Sequence, residues 1–120
     1  MAQSDALKYV FDEWKDKSNK NIISIGSISP DFEDYDKPSW YNKSAERYTT
    51  GKKILDKTNY NCYMKFENVK CTIIRPGWVD TPKIKEIWDG NKLTLNQIED
   101  VINFVINFQG RIREITLESN

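Results

Sequence analysis

Two short apolar runs constrain the fold of this chain more than any other feature. IISI at 22–25 and VKCTII at 69–74 are continuous in apolar character, as expected of strands that are covered on both faces. Glycine and proline follow both runs and end them. A segment with helical periodicity separates the two runs. Strands that alternate with helices favour right-handed crossovers and a parallel sheet, so the sequence predicts an α/β fold.

The first helices are predicted from periodicity and caps. One is expected over about 4–17, with Ser4 as its cap and apolar residues at spacings of three and four. A second is expected over about 41–60. Segment 30–40, with two prolines and four acids, is expected to be a surface loop. The order predicted up to the second apolar run is therefore helix, strand, helix, strand.

The last third of the chain adds one more helix and one more strand. After a proline–glycine loop, residues 83–88 could form a short helical turn. Thr94 and Gln97 match a capping box that opens the third helix, and Gly110 is expected to cap its end. Residues 111–119 are predicted as a third strand, and their charges indicate a sheet edge. The whole pattern predicts three parallel strands alternating with three helices.

Composition excludes several classes of protein. The 120 residues suit one compact domain, and 18 basic residues balance 18 acidic ones. This balance gives no electrostatic argument for a nucleic-acid or anionic-membrane partner. No apolar run approaches the roughly 20 residues of a membrane span. The first residues are amphipathic and carry acids, unlike a secretory signal or transit peptide, so a cytoplasmic location is expected.

The chain has no histidine, which excludes serine–histidine–aspartate and cysteine–histidine catalysis and any metal site that needs imidazole. Acid–base chemistry near neutral pH must then come from Tyr, Lys, Asp, Glu or Cys. The spacing of Cys62 and Cys71 matches no metal or redox motif. Both are expected to be ordinary reduced thiols, with Cys71 buried, and no metal site is expected.

Three segments are expected to meet at one edge of the sheet. GSISP and PGWVDT follow the two apolar strands, and YTTGK at 48–52 lies between those strands in the chain. Ligands of open parallel sheets bind beyond the carboxyl ends of the strands. Tyr48 and Lys52 are four residues apart, so on a helix the ammonium could lower the phenol's pKa from its usual value of about 10. The alternative for this pair is a solvated helix face.

The chain resembles the C-terminal, active-site half of the short-chain dehydrogenase/reductase family. NIISIGSIS is similar to the family's strand that ends in the catalytic serine, YTTGK matches its YxxxK motif, and VKCTIIRPGWVDT is similar to its next strand and PGxVxT loop. The three motifs occur in the family's order. The resemblance implies a partial Rossmann-like fold and an NAD(P)-dependent oxidoreductase that transfers hydride between an alcohol and a carbonyl.

The resemblance also implies roles for individual residues. Tyr48 would be the acid/base, and Lys52 would lower its pKa and hold the nicotinamide ribose. Ser27, directly at the strand end, is preferred over Ser29 as the residue that orients the substrate oxygen. The loop residues expected to line the nicotinamide of NAD or NADP are Pro76, Gly77, Val79 and Thr81. Trp40 and Trp78 would shape a pocket for a small-molecule alcohol or carbonyl, with simple packing as the alternative for both tryptophans.

One part of the family's pattern is missing from this sequence. The five glycines, at positions 26, 51, 77, 90 and 110, form no glycine-rich phosphate-binding turn. Residues 1–120 are therefore interpreted as a single truncated Rossmann-like domain that lacks the N-terminal dinucleotide-binding half. The chain could be an active-site half that works with a chain supplying the other half. It could instead be a catalytically silent binding or assembly module, or a truncated gene product. A homo-oligomer through the first two helices is also expected from the resemblance.

Overall fold

The computed structural model describes residues 2–30, 43–65, 68–82, 84 and 90–120. Three helices alternate with three strands along the chain, and the strands form one parallel sheet in the order β1-β2-β3. The elements are α1 (Ala2–Trp14), β1 (Lys20–Ile25), α2 (Lys43–Met64), β2 (Val69–Pro76), α3 (Leu95–Asn107) and β3 (Glu114–Leu117). The predicted α/β class, with its parallel strands separated by helices, is confirmed. The loop predicted over 30–40 and the turn over 83–88 lie almost entirely outside the described residues.

α1 begins and ends earlier than predicted. Ser4 does not cap it but lies within it and is buried. After Trp14 the backbone forms a turn that is tighter than an α-helical one. The Lys17 N–H donates to the Trp14 carbonyl, three residues earlier, at 2.8 Å. Asn19 then takes a left-handed backbone conformation with φ of 59°, which asparagine adopts more readily than most residues. The helix therefore stops three residues short of its predicted end.

The strands also differ in length from the apolar runs that predicted them. β1 begins at Lys20 because Lys20 and Asn21 pair with Val69 and Lys70 of β2. β2 continues to Pro76, which pairs with Leu117 and was expected to lie in a loop. β3 covers only four of the nine residues predicted. It pairs with β2 alone among the described strands, which confirms the expected edge position.

The core lies between the sheet and the first two helices. Its buried cluster combines residues of α1, α2 and β2, namely Leu7, Phe11, Leu55, Cys62, Val69, Cys71 and Ile73. Arg75 of β2 is buried beside this cluster, and its Nε lies 3.5 Å from Asp56 of α2 and 3.7 Å from Glu114 of β3. A buried charge needs such partners, so this ion-pair network ties α2 to the sheet.

α3 begins as predicted and ends differently. The Thr94 hydroxyl accepts from the Gln97 N–H at 3.1 Å, and the Gln97 side chain accepts from the Thr94 N–H at 2.8 Å. This arrangement confirms the capping box. The C-cap is Phe108, in an extended conformation, and not Gly110. No described glycine has a positive φ, so the left-handed cap expected at Gly110 does not form.

Candidate active site

Lys52 of α2 is fixed at the carboxyl end of β1. Its ammonium donates hydrogen bonds to the backbone carbonyl of Ile25, at 3.0 Å, and to Oε1 of Gln3, at 2.8 Å. The Gln3 amide in turn donates to the same Ile25 carbonyl at 3.0 Å. Ile25 is the last residue of β1, so α1 and α2 both reach the end of this strand through side chains.

Tyr48 lies beside Lys52 on the same side of α2. The Lys52 ammonium is 5.4 Å from the centroid of the Tyr48 ring, as expected from their spacing of four residues. Tyr48 is 54% exposed, so its side chain is open to a ligand. Between the two, Thr49 is buried, and the Thr50 hydroxyl donates to the Glu46 carbonyl one turn earlier. The pair therefore stands at the rim of the sheet with one side toward solvent.

The two candidate serines follow β1 directly and are both buried. The Ser27 hydroxyl accepts a hydrogen bond from the Ser29 N–H at 3.0 Å, which shapes the turn after the strand. The Ser29 hydroxyl has no hydrogen-bond partner among the described residues. Ahead of them, a Cβ on Gly26 would lie 2.8 Å from Cδ1 of Ile73, so a larger residue here would require the Ile73 side chain to shift.

The PGWVDT segment lies beside this turn. The Ile28 N–H donates to the Pro76 carbonyl at 3.2 Å, and the Gly77 N–H donates to the Leu117 carbonyl at 2.8 Å. These bonds place Pro76 and Gly77 between the serine turn and the end of β3. A Cβ on Gly77 would lie 3.3 Å from Cδ1 of Ile28, which shows how closely the two segments pack.

The remaining residues of the segment contact the stretch of chain that precedes α3. Val79 pairs with Leu93 in an isolated parallel bridge, and the Trp78 carbonyl accepts from the Leu93 N–H at 2.7 Å. Trp78, Val79 and Thr81 are all partly buried. The Thr81 carbonyl accepts from the Ile84 N–H at 3.1 Å. Trp40 lies outside the described residues.

The charge at the carboxyl end of β1 is the partly buried ammonium of Lys52. Burial lowers the pKa of Lys52 from the ordinary lysine value, and the nearby Asp56 carboxylate opposes that shift. Its two hydrogen-bond acceptors, Gln3 and the Ile25 carbonyl, are both neutral. The site therefore keeps a positive charge next to Tyr48 without a carboxylate in direct contact with it.

The Lys52 ammonium and the Ser29 hydroxyl have unused hydrogen-bonding capacity at the place where the resemblance implies a nicotinamide cofactor. An ammonium has three N–H donors, and the described contacts of Lys52 use two of them. The Ser29 hydroxyl is buried and has no described partner. These groups suit the hydroxyls and amide of a nicotinamide riboside. None of the glycines of the chain forms a phosphate-binding turn, so the fit covers the nicotinamide end alone.

Gln3 is the site residue that sequence reasoning missed. It stands four residues before Leu7 and eight before Phe11, the buried residues of α1, so it continues their helical stripe toward the sheet. A polar residue on an otherwise buried stripe was the available signal. Its partners could not be read from the sequence, because Lys52 is 49 positions away. Among the described residues, no group of three or more Asp, Glu or Cys side chains could hold a metal.

Similarity to known proteins is found in three dimensions. No protein-family model and no curated protein matches the sequence. An apo SCOR enzyme from Clostridium thermocellum superposes with a TM-score of 0.70 and 17% identity, covering 96% of this chain and 47% of that one. A short-chain dehydrogenase/reductase of the glucose/ribitol dehydrogenase type from Brucella melitensis gives 0.68 and 14%, covering 85% and 45%.

A third similar structure is a serine dehydrogenase. The Escherichia coli enzyme superposes with a TM-score of 0.57 and 20% identity, covering 81% of this chain and 38% of that one. A closed form of serine dehydrogenase, complexed with NADP+, gives 0.60 and 19%, covering 82% and 43%. This chain thus spans less than half the length of each of these structures. Its three helices and parallel sheet have the fold of part of a short-chain dehydrogenase/reductase.

Proposed function

We propose that this chain carries the proton-transfer and nicotinamide-facing part of an NAD(P)-dependent oxidoreductase acting on a small alcohol or carbonyl. The dinucleotide-binding part would come from elsewhere, either from another chain or from a longer polypeptide. One observation carries the proposal. The contact of Lys52 with the Ile25 carbonyl puts the Tyr48–Lys52 pair at the carboxyl end of β1. Ile25 precedes Ser27 by two positions in the sequence.

In this proposal Tyr48 moves the proton. Its hydroxyl donates to the oxygen of a carbonyl substrate during reduction and accepts the alcohol proton during oxidation. The adjacent Lys52 ammonium stabilises the phenolate that forms when the proton leaves. A bound nicotinamide supplies or accepts the hydride, which no side chain can do. Ser27, or Ser29 with its open hydroxyl, holds the substrate oxygen in place.

The remaining Lys52 N–H would hold a ribose hydroxyl of the cofactor. Segment 76–81 would enclose the nicotinamide through its backbone, because Ile28 and Leu117 hold Pro76 and Gly77 at the strand ends. Trp78 would border the substrate. These assignments together predict that the chain recognises the nicotinamide half of the cofactor and not the adenosine half.

Saturation-transfer NMR tests this proposal with reduced nicotinamide mononucleotide beside NADH and NADPH. We expect saturation of the nicotinamide protons at millimolar ligand, with similar strength for all three compounds, because the adenosine half finds no phosphate cradle here. Lys52→Met should remove the signal, whereas Lys57→Met, an exposed lysine on the same helix, should keep it. No transfer to any of the three compounds, or transfer to adenine protons alone, would contradict the proposal.

A second candidate function is that of a binding or assembly module without catalysis. It is favoured by apolar side chains that α3 and its C-cap leave exposed, namely Leu95, Phe104, Ile106 and Phe108. Of these, Phe104 and Phe108 are neighbours, with ring centroids 5.8 Å apart, and adjoining exposed apolar side chains often mark an interaction surface. The NMR experiment separates the two functions, because a silent module has no reason to bind the nicotinamide ring.

A further inference from the structure

A groove between α2 and the start of β3 lies outside the candidate active site. Its volume is about 410 Å³, which is within the range of pockets that hold small molecules. The described residues that line it come from α2, from β2, from the start of β3 and from the turn after β1. None of them is Tyr48, Lys52 or a candidate serine, so the groove is a separate feature of the molecule.

Two buried residues, Asn59 and Ile73, form the inner part of the lining. Both bond to the Arg113 carbonyl, the Asn59 Nδ2 at 3.1 Å and the Ile73 N–H at 2.9 Å. Asn59 is only 1% exposed, and its Oδ1 has no hydrogen-bond partner among the described residues. Because buried polar atoms nearly always have a partner, this oxygen is an acceptor that a donor group of a ligand would satisfy.

Tyr60 and Arg113 form the outer part of the lining. The guanidinium carbon of Arg113 lies 5.3 Å from the centroid of the Tyr60 ring, and both residues are exposed. A tyrosine ring and a planar guanidinium both stack on flat groups. This side of the groove therefore suits a ligand that has an aromatic ring.

The charges of the lining favour an anion. Its positive residues are Lys53, Lys57 and Arg113. Its two acids, Asp56 and Glu114, lie 3.5 Å and 3.7 Å from Nε of the buried Arg75, so their charge is already shared with a cation of the protein. The groove thus presents a net positive charge to a molecule that enters it, and such a field attracts ligands of the opposite sign.

We propose that this groove binds a small aromatic acid that also has a hydrogen-bond donor. The carboxylate of the ligand would contact Lys57 and Arg113, because carboxylates form their strongest hydrogen bonds with charged donors. The ring would stack against Tyr60. A hydroxyl at the opposite end of the ring would donate to Oδ1 of Asn59.

This site is independent of the proposed dehydrogenase function. Its described lining shares no residue with the Tyr48–Lys52 pair, and binding there needs no nicotinamide. The test below uses the acid alone. Its result therefore bears on the groove even if the chain binds no cofactor.

An NMR titration of the isotope-labelled full chain with para-hydroxybenzoate provides the experiment. We expect saturable shifts, largest for the amides of Lys57, Tyr60 and Arg113, with a dissociation constant of about 1 mM or lower. Benzoate lacks the donor and para-hydroxybenzamide lacks the charge, so each should bind about tenfold more weakly. The proposal would be overturned by an absence of saturable shifts, by shifts centred on other residues, or by equal affinity for the acid and either comparison compound.

Two variants that each remove one positive charge locate the site. Arg113→Gln should weaken the binding of para-hydroxybenzoate about tenfold, whereas its backbone carbonyl still bonds to Asn59 and Ile73. Lys65→Gln is the matched control, because Lys65 is exposed, directly follows α2 and does not line the groove. It should bind as the unchanged chain does, and equal losses in the two variants would contradict the proposal. If Arg113→Gln fails to fold, the three compounds on the unchanged chain still decide the matter.

Discussion

At the scale of single residues, the geometry around Lys52 depends on very few contacts. Its ammonium is held by one backbone carbonyl and one amide, and Gln3 bonds both the lysine and that carbonyl. The result is a closed triangle of hydrogen bonds at the end of β1. Both acceptors are neutral, and the ammonium that they hold lies 5.4 Å from the centroid of the Tyr48 ring.

The role of Tyr48 gives the first prediction. In any preparation that reduces a carbonyl with NADH or NADPH, Tyr48→Phe should lower kcat by about 10²- to 10⁴-fold, the range that a general acid contributes. The substitution removes one oxygen from a side chain that is already half exposed, so the free energy of unfolding should be unchanged. Steady-state kinetics and urea unfolding measure the two quantities.

Tyr60→Phe is the matched control, because Tyr60 is a similarly exposed tyrosine three turns further along α2. It should keep full activity. If Tyr48→Phe is as active as the unchanged chain, Tyr48 is not the acid/base of this site.

Gln3 gives the second prediction. Gln3→Ala should reduce the free energy of unfolding by about 1–2 kcal/mol, because it removes one bond to a charged donor and one to a carbonyl. Gln3→Glu keeps an acceptor for the ammonium and loses only the donor to Ile25, so it should retain most of the stability. Urea denaturation of the three proteins measures the difference. An alanine variant as stable as the unchanged chain would mean that the triangle contributes nothing to folding.

At the scale of elements, the beginning of α3 is set by local chemistry. Thr94 and Gln97 satisfy each other's backbone donors through their side chains, and this motif requires no tertiary contact. For that reason its position could be predicted from four residues of sequence. The lengths of β1 and β2 could not be predicted in this way, because Lys20, Asn21 and Pro76 are in strands only through pairing with a neighbouring strand.

The capping box gives the third prediction. Thr94→Ala should lower the free energy of unfolding by about 1 kcal/mol, since it leaves the Gln97 N–H without its side-chain acceptor. Thr94→Ser keeps the hydroxyl and should be close to neutral. Thr50→Ala is a second control, because that hydroxyl bonds only to the Glu46 carbonyl inside a formed helix. Equal losses for Thr94→Ala and Thr50→Ala in urea unfolding would contradict a special role for the cap.

At the scale of the whole molecule, apolar surface is distributed unequally between the helices. α1 and α2 each contribute two residues to the buried cluster beside β2, whereas Val105 is the one buried residue in α3. Leu95, the first residue of α3, and Phe108, its C-cap, are both exposed. The described part of the chain also has no helix that is both long and apolar enough to cross a membrane.

The exposed surface of α3 gives the fourth prediction. Phe104 and Phe108 have ring centroids 5.8 Å apart and border one groove together with Asn103. We expect self-association of the chain through this surface, and Phe104→Asp should weaken it because a charge cannot be buried there without a partner. Light scattering across a concentration series measures the average mass.

Asn103→Asp is the matched control. It adds the same charge to the same groove at a position that is already polar and exposed. It should leave the concentration dependence of the mass nearly unchanged. A chain that is monomeric at all concentrations, or two variants with equal effects, would contradict association through Phe104.

The sequence by itself determined the features that depend on neighbouring residues. Apolar runs predicted the first two strands, and four-residue spacing placed Tyr48 beside Lys52. The PGxVxT segment lies at the end of its strand, although its Pro76 belongs to β2, and the order of elements predicted the parallel sheet. Each of these follows from backbone periodicity or local hydrogen bonding, which a short stretch of chain already contains.

Only the tertiary structure decided which distant groups meet. The contact of Gln3 with Lys52, the bond of Asn59 to the Arg113 carbonyl, and the exposure of α3 each depend on how helices pack on strands far away in the sequence. The burial that lowers the pKa of Lys52 has the same origin. Packing is cooperative and involves many residues at once, so the partner of a given side chain is settled only when the whole sheet and its helices are in place.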